Sequence, residues 1–171
     1  IGLGNRNREV LPHFLREEDV RCLAVCDCFP DRRKRGKATV DSHYGNKDCQ
    51  VYHDHEEILG RKDIDAVFIA TGDRWHTPLS IFAARAGKDV YCEKPFSMTI
   101  AEGRTLVNTM KRYGTIWQGG TQRRSVENYR MVVDVVRGGK IGKLHTITTS
   151  FGGATRDNGF GAPEPVPEGF Y

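Results

Sequence analysis

Along the first 121 residues, short apolar runs alternate with stretches whose hydrophobic positions recur at helical spacing. Ile1–Leu3 reads as the last part of a strand. From Arg6 to about Glu18, the residues Val10, Leu11, Phe14 and Leu15 fall on one side of a predicted helix. Val20–Cys26 (VRCLAVC) reads as a strand, and Pro30 then opens a charged helix. Ile64–Ala70 (IDAVFIA) is a near-continuous apolar run, the pattern of a parallel strand covered on both faces. Thr77 stands as an N-cap before Pro78, which suits a helix's first turn, and Leu79, Ile81, Phe82 and Ala83 follow. Gly87 stops that helix and Asp89–Cys92 begins the next strand. Thr99-Ile100-Ala101-Glu102 fits a capping box, so a helix runs from there to about Tyr113, with Thr115–Gln118 as a further strand.

This alternation predicts βαβ units with right-handed crossovers, hence an α/β fold built on a doubly wound parallel sheet. Ligands of such sheets bind at the carboxyl ends of the strands, so the strand-to-helix loops are where chemistry belongs. After Gly119-Gly120 the pattern changes. Ser125 caps a predicted helix carrying Met131, Val132, Val135 and Val136, Gly138-Gly139 ends it, and Leu144–Phe151 alternates like a half-exposed strand. Residues 152–171 show no periodicity. A domain boundary is therefore expected near 121, with 122–171 beginning a second, incomplete domain.

Composition narrows the class. At 38% hydrophobic and 28% charged residues the chain is globular, neither disordered nor collagen-like. No apolar run reaches the roughly 18 residues needed to span a bilayer, so no membrane partner is expected. A net charge of +4 is too small and scattered to suggest nucleic acid. The five cysteines lack zinc-ligand spacing, so no metal site is expected; they read as buried reduced thiols, which points to the cytoplasm.

Gly2-Leu3-Gly4-Asn5-Arg6-Asn7 follows a strand and opens a helix. It matches the first two glycines of G-x-G-x-x-G and departs at the third, where Asn7 stands. Such glycines allow a tight turn and close approach to a pyrophosphate, which the free N–H groups of a helix N-terminus attract. Taken alone, an ordinary glycine turn is an equal reading. Asp27 shifts the balance, since it ends the second strand about 20 residues beyond the motif, where an acid binds the ribose hydroxyls of NAD and repels a 2′-phosphate. The run Arg32-Arg33-Lys34-Arg35 is either a solvated helix face or an NADP-accommodating patch, and Arg32 can also stack over the adenine. NAD is preferred over NADP on this reading. Thr71-Gly72-Asp73-Arg74-Trp75-His76 concentrates polar and aromatic groups after one strand. Glu93-Lys94-Pro95 follows the next, and a lysine there can handle a substrate hydroxyl proton.

The ordered segments GLGNRN, VCD, ATGDRWH, YCEKP, GGTQRR and GKIGKLH resemble the Gfo/Idh/MocA oxidoreductases over nearly the whole chain. The resemblance implies a Rossmann-type dinucleotide-binding domain over 1–121, followed by the start of an α/β substrate domain over 122–171. It implies NAD as cofactor, with Gly2, Gly4, Asn5, Arg6, Asp27, Arg32, Thr71, Asp73, Trp75, His76, Glu93 and Lys94 as the cofactor-binding set. Lys94 is the implied catalytic residue, aimed into the cleft by a Pro95 that is often cis in the family. Gly72 stands where the family more often has proline. The implied function is hydride transfer between a nicotinamide cofactor and a hydroxyl or ketone of a sugar, polyol or related compound. Two alternatives share these loops: an NAD-dependent glycosidase working by transient oxidation and elimination, and a non-catalytic NAD-binding regulatory module, against which the intact Glu93-Lys94-Pro95 argues. Family members carry a D-x-x-x-H in the second domain, beyond the end of this sequence. The chain is therefore expected to be a fragment, inactive alone, of an enzyme that forms homo-oligomers at full length.

Overall fold

The computed structural model describes residues 1–150 together with Pro165, Val166, Glu168 and Phe170. One compact unit holds Ile1–Gly120 and Phe170, and a second begins at Thr121.

In the first unit, helices α1 (Asn5–Phe14), α2 (Pro30–Tyr44), α3 (His55–Leu59), α4 (His76–Arg85) and α5 (Ile100–Tyr113) alternate with strands. The strands are β1 (Ala24–Cys26), β2 (Gln50–Tyr52), β3 (Ala66–Ile69), β4 (Asp89–Glu93) and β5 (Trp117–Gly120). All pairings are parallel: Ala24 lies opposite Gln50, Ala66 opposite Asp89 and Val90 opposite Trp117. The β1–β2 and β3–β4–β5 ladders are joined by Ile1–Leu3. The Gly2 N–H donates to the Cys26 carbonyl (2.9 Å), while the Ile1 carbonyl accepts the Ala70 N–H (2.9 Å). The resulting order, β2, β1, Ile1–Leu3, β3, β4, β5, is that of a doubly wound dinucleotide fold.

Both faces of this sheet are covered, which explains the continuous apolar runs. Val25 enters a cluster with Leu3, Leu11, Leu15 and Val40, whereas its neighbour Cys26 points to the other face. There Val67, Ile69, Val90 and Cys92 meet Leu79, Leu106 and Met110. Alternate residues Phe68 and Tyr91 turn back to Phe14, each with its ring centroid 5.1 Å from the Phe14 ring. Full burial of Ile69 and Val40 contributes about 2 kcal/mol each.

Several predicted boundaries move. The second strand is only Ala24–Cys26, because the Cys22 N–H goes to the Tyr44 hydroxyl (3.0 Å) and the Val20 N–H turns back to the Glu17 carbonyl (3.2 Å). Helix α1 ends at Phe14 rather than near Glu18, since Arg16 and Glu17 bond three residues back in tighter turns. Thr77 is not the N-cap of α4: the helix begins at His76, and the Thr77 hydroxyl donates to the Phe96 carbonyl (2.8 Å). At α5 the Glu102 N–H donates to Thr99 Oγ1 (3.2 Å), and the Glu102 carboxylate accepts from Met98, one residue before the partner a capping box provides.

In the second unit, α6 (Glu127–Arg137) forms as predicted, but its entry residue is Val126 and Ser125 makes no side-chain cap. No residue of α6 is buried. The expected strand at Leu144–Phe151 is absent over Leu144–Ser150, where no other described segment pairs with it. Phe151 and most of residues 152–171 lie outside the described residues. No helix of the described residues is long and apolar enough to cross a membrane.

Candidate dinucleotide site

The carboxyl ends of β1, Ile1–Leu3 and β3 open on a cavity of about 630 Å³, within the roughly 300–1,000 Å³ typical of ligand pockets. Gly2 and Gly4 make its floor for different reasons. Gly2 has φ +80°, and a Cβ there would lie 2.7 Å from Thr71 Cγ2 and 2.8 Å from the Ala70 carbonyl carbon. Gly4 faces open space, with Arg32 Nη1 at 4.0 Å as the nearest atom to a built Cβ. It leaves a cradle that a side chain would fill. Helix α1 begins at the next residue with no side-chain cap and no acid in its first turn, so its free N–H groups favour an anion. Asn7 is buried on the inner side of α1. Close helix–sheet approach is supplied elsewhere, by Gly36, where a Cβ would stand 2.8 Å from Leu3 Cδ1.

Asp27 is 6% exposed and already engaged. Its Oδ2 accepts the Leu3 N–H (2.7 Å) and its Oδ1 the Phe29 N–H (2.9 Å), so it pins the glycine turn to the end of β1 while lining the cavity. The basic run divides by role. Arg33 donates to the carbonyls of Asp27 (2.8 Å) and Cys28 (2.9 Å), and Arg35 to that of Leu3 (3.0 Å). Arg32 alone of the run lines the cavity, 4.3 Å above the Phe29 ring and 3.9 Å from Asp27 Oδ2.

Thr71 and Trp75 line the opposite wall, and Trp75 is half exposed. Asp73, which opens a 3₁₀ turn at Asp73–Trp75, is exposed and lies off the lining. His76 is 1% exposed and sits behind the cleft, not in it. Its Nδ1 is 2.6 Å from the Pro95 carbonyl oxygen and its Nε2 3.2 Å from that of Thr71, so the ring staples the loop after β3 to the loop after β4. Glu93 is buried as well. Its Oε1 lies 2.9 Å from Arg6 Nε, and its Oε2 accepts the Lys94 N–H at 3.3 Å. It positions Arg6 and the lysine loop; it does not line the cavity. Burial opposes the charge on Arg6, but Glu9 and Glu93 outweigh it and raise the guanidinium's pKa. Lys94 is exposed at the carboxyl edge of the sheet, its ammonium without a partner among the described residues, and the Lys94–Pro95 peptide is cis. Its loop is moulded against β5: Phe96 stacks edge-on to Trp117 (4.9 Å) and occupies the space beside Gly119. A Cβ on Gly120 would lie 2.9 Å from Glu93 Oε1.

The model of the oxidoreductase family with an NAD-binding Rossmann fold matches residues 1–121. The chain belongs to the Gfo/Idh/MocA family. A glycosyl hydrolase family 109 protein of Saccharopolyspora erythraea is 38% identical over 117 residues, covering 66% of this chain and 25% of that protein. The myo-inositol 2-dehydrogenase of Thermotoga maritima is 28% identical over 147 residues, covering 86% and 42%. The crystal structure of scyllo-inositol dehydrogenase from Lactobacillus casei with bound NAD(H) and scyllo-inositol superposes with a TM-score of 0.72 at 25% identity, covering 82% of this chain and 40% of that one. The chain thus spans less than half the length of these relatives.

Within this Gfo/Idh/MocA site, several lining residues lack any counterpart in the sequence expectations: Cys28, Phe29, His53, His55 and Phe170. The first four follow β1 and β2 directly, and Asp54, whose carboxylate accepts the Glu56 N–H (2.8 Å), is a readable N-cap that marks the His53–His55 loop. Phe170 meets Phe29 edge-on (5.1 Å) from the far end of the chain, with no local signal to announce it. The buried thiols are displaced upward by burial, Cys26 to about 11 and Cys92 to about 12, which leaves them protonated and inert near neutrality.

Proposed function

We propose that this chain is the cofactor-binding part of an NAD-dependent oxidoreductase acting on a hydroxyl or ketone of a sugar, polyol or related compound. The observation that carries this reading is the Gly4 cradle beneath an uncapped helix N-terminus, with Asp27 on the adjoining wall. Gly2, Gly4, Asn5 and Arg6 would hold the pyrophosphate through backbone N–H groups and a guanidinium. Asp27 has carboxylate lone pairs beyond those spent on Leu3 and Phe29, and these would accept ribose hydroxyls. Arg32 and Phe29 offer a flat surface for a base, and Thr71 and Trp75 bound the cavity on the opposite side. When bound, NAD supplies the hydride acceptor of the reaction. Lys94 takes or returns the substrate's hydroxyl proton, while His76 and Glu93 hold its loop from behind. Residues 122–171 would begin the domain that carries the substrate. A second reading, an NAD-dependent glycosidase, is favoured by the 38% identity to a glycosyl hydrolase family 109 protein.

Calorimetry with NAD tests the site. Gly4→Val places its Cβ in the cradle, where no atom lies nearer than 4.0 Å, so it should abolish binding while the chain stays folded by circular dichroism. Unchanged NAD affinity in that variant overturns the reading. The two activities separate by product in a version joined to a complete second domain: net NADH formation from a polyol marks a dehydrogenase, and sugar release without added NAD marks the glycosidase. The 171-residue chain should bind NAD without turning over either substrate.

A further inference from the structure

We propose that Cys22 and Cys49 form a redox-active dithiol, which closes to a disulfide by exchange with an oxidised low-molecular-weight disulfide such as glutathione disulfide. The two residues stand at the entries of neighbouring parallel strands, Cys22 just ahead of β1 and Cys49 directly before Gln50 of β2. Ala24 and Gln50 face each other across that ladder. The Cys22 Sγ lies 3.6 Å from the Ala24 carbonyl oxygen and the Cys49 Sγ 3.6 Å from that of Gln50, and the two thiols are hydrogen-bonded to each other. Cys49 is buried in the cluster of Leu3, Leu11, Leu15, Val25 and Val40, and Cys22 packs against that cluster beside Tyr44. The Tyr44 hydroxyl fixes the backbone there, accepting the Cys22 N–H (3.0 Å) and donating to the Val20 carbonyl (3.4 Å). Adjacent strands run about 4.8 Å apart, within the roughly 4.4–6.8 Å between Cα atoms that a disulfide spans.

The pair is unequal, which assigns the roles. Cys22 is half-buried and lines a cavity of about 340 Å³ at the amino ends of the strands, whereas Cys49 is buried. The bond between the thiols favours the charged form of Cys22 and lowers its pKa; the same bond, with burial behind it, raises that of Cys49. Cys22 is therefore the attacking thiolate and Cys49 the resolving thiol. In the first step Cys22 attacks one sulfur of glutathione disulfide, whose S–S bond breaks, so that one glutathione thiolate leaves and a mixed disulfide forms on Cys22. Cys49 then gives up its proton and attacks the Cys22 Sγ, displacing the second glutathione. Two protein thiols are oxidised and one disulfide is reduced to two thiols. The remaining cysteines are placed differently: Cys26 and Cys92 lie in the cluster on the opposite face of the sheet, and the Cys28 Sγ meets the Asp27 carboxylate at 3.8 Å. The new bond closes the loop from Cys22 to Cys49, which contains β1, Asp27 and α2, and so braces that half of the sheet.

The test incubates the folded chain with glutathione disulfide, quenches with acid, alkylates the remaining thiols after denaturation and maps every cysteine by peptide mass spectrometry. Wild type should lose the Cys22 and Cys49 thiols together, yield a Cys22–Cys49 peptide pair and recover both thiols with dithiothreitol. The oxidised chain should melt roughly 5 °C or more above the reduced one, as a cross-link over a long loop does. Cys49→Ser should stop at a glutathione adduct on Cys22, and Cys22→Ser should leave Cys49 unmodified. Wild type in which Cys22 stays free, keeps its glutathione or bonds to another cysteine overturns the proposal, and that result needs no variant to fold. A disulfide that forms without raising the melting temperature overturns the brace.

Discussion

Asp27→Asn is a near-isosteric change that should both loosen the fold and relax cofactor choice. The wild-type carboxylate accepts two backbone N–H groups, from Leu3 at 2.7 Å and Phe29 at 2.9 Å, in a residue only 6% exposed. An asparagine has one acceptor oxygen and one donor nitrogen, so one of those N–H groups must face an NH₂. Hydrogen bonds to a charged group contribute about 1.5–3 kcal/mol each, and a buried donor left unpaired costs about 1–3 kcal/mol. The expected loss is therefore about 2–4 kcal/mol. It should spread beyond the turn, because Leu3 belongs to the segment that joins the two ladders of the sheet. Urea denaturation followed by fluorescence, with Trp75 and Trp117 as reporters, should show a lower midpoint with an unchanged slope. The same substitution removes the negative charge that opposes a 2′-phosphate while Arg32 stays 3.9 Å from that position, so the preference for NAD over NADP should narrow. A variant within about 0.5 kcal/mol of wild type would refute the assignment of Asp27 as the pin of the glycine turn. Tighter NADP than NAD binding by wild type would show instead that Arg32 governs the choice.

Lys94→Met should leave the NAD affinity of this chain within about twofold. In a version carrying a complete second domain it should lower kcat by about 10²-fold, the scale of one acid–base group, and near-normal turnover would remove the lysine from the chemistry. Alkaline stability follows from Cys92: burial pushes its thiol from an ordinary 9.0 to about 12. The unfolded chain ionises first, so this contribution is whole below about pH 9 and is lost as pH rises toward 12, by about 3 kcal/mol at about pH 11. The stability gap between wild type and Cys92→Ala, measured by denaturation across that range, should close accordingly; a pH-independent gap would contradict the burial argument.

The alternation of apolar runs with helical spacing was enough to read the parallel sheet, because β3 and β4 are buried on both faces and carry almost no polar interruptions. The strand edges were harder. Nothing in VRCLAVC says that Cys22 will prefer the hydroxyl of Tyr44, twenty-two positions away, to a ladder partner. The glycine turn and Asp27 were legible because their spacing is set by one local βαβ unit. His76 and Glu93 were legible as parts of the site but not as its rear supports, since a motif records proximity to function and not the direction in which a side chain points. His53 and His55 escaped notice because lining a cavity is a property of packing that no residue pattern encodes. The strand expected from Leu144 is absent over Leu144–Ser150 for a related reason: alternation announces a willingness to pair, and a ladder also needs a neighbour, which no other described segment supplies.

Gly119 and Gly120 have a consequence for anyone who would move this chemistry elsewhere. The Glu93-Lys94-Pro95 tripeptide takes its shape from a cast formed by the adjacent strand, whose two missing side chains leave room for Phe96 and for the Glu93 carboxylate. Transplanting the tripeptide into another sheet would copy the letters without the cast. A successful graft has to bring Phe96 and a pair of bare backbone positions on the neighbouring strand, so the heritable unit of this loop is two strands wide, although its signature is three residues long.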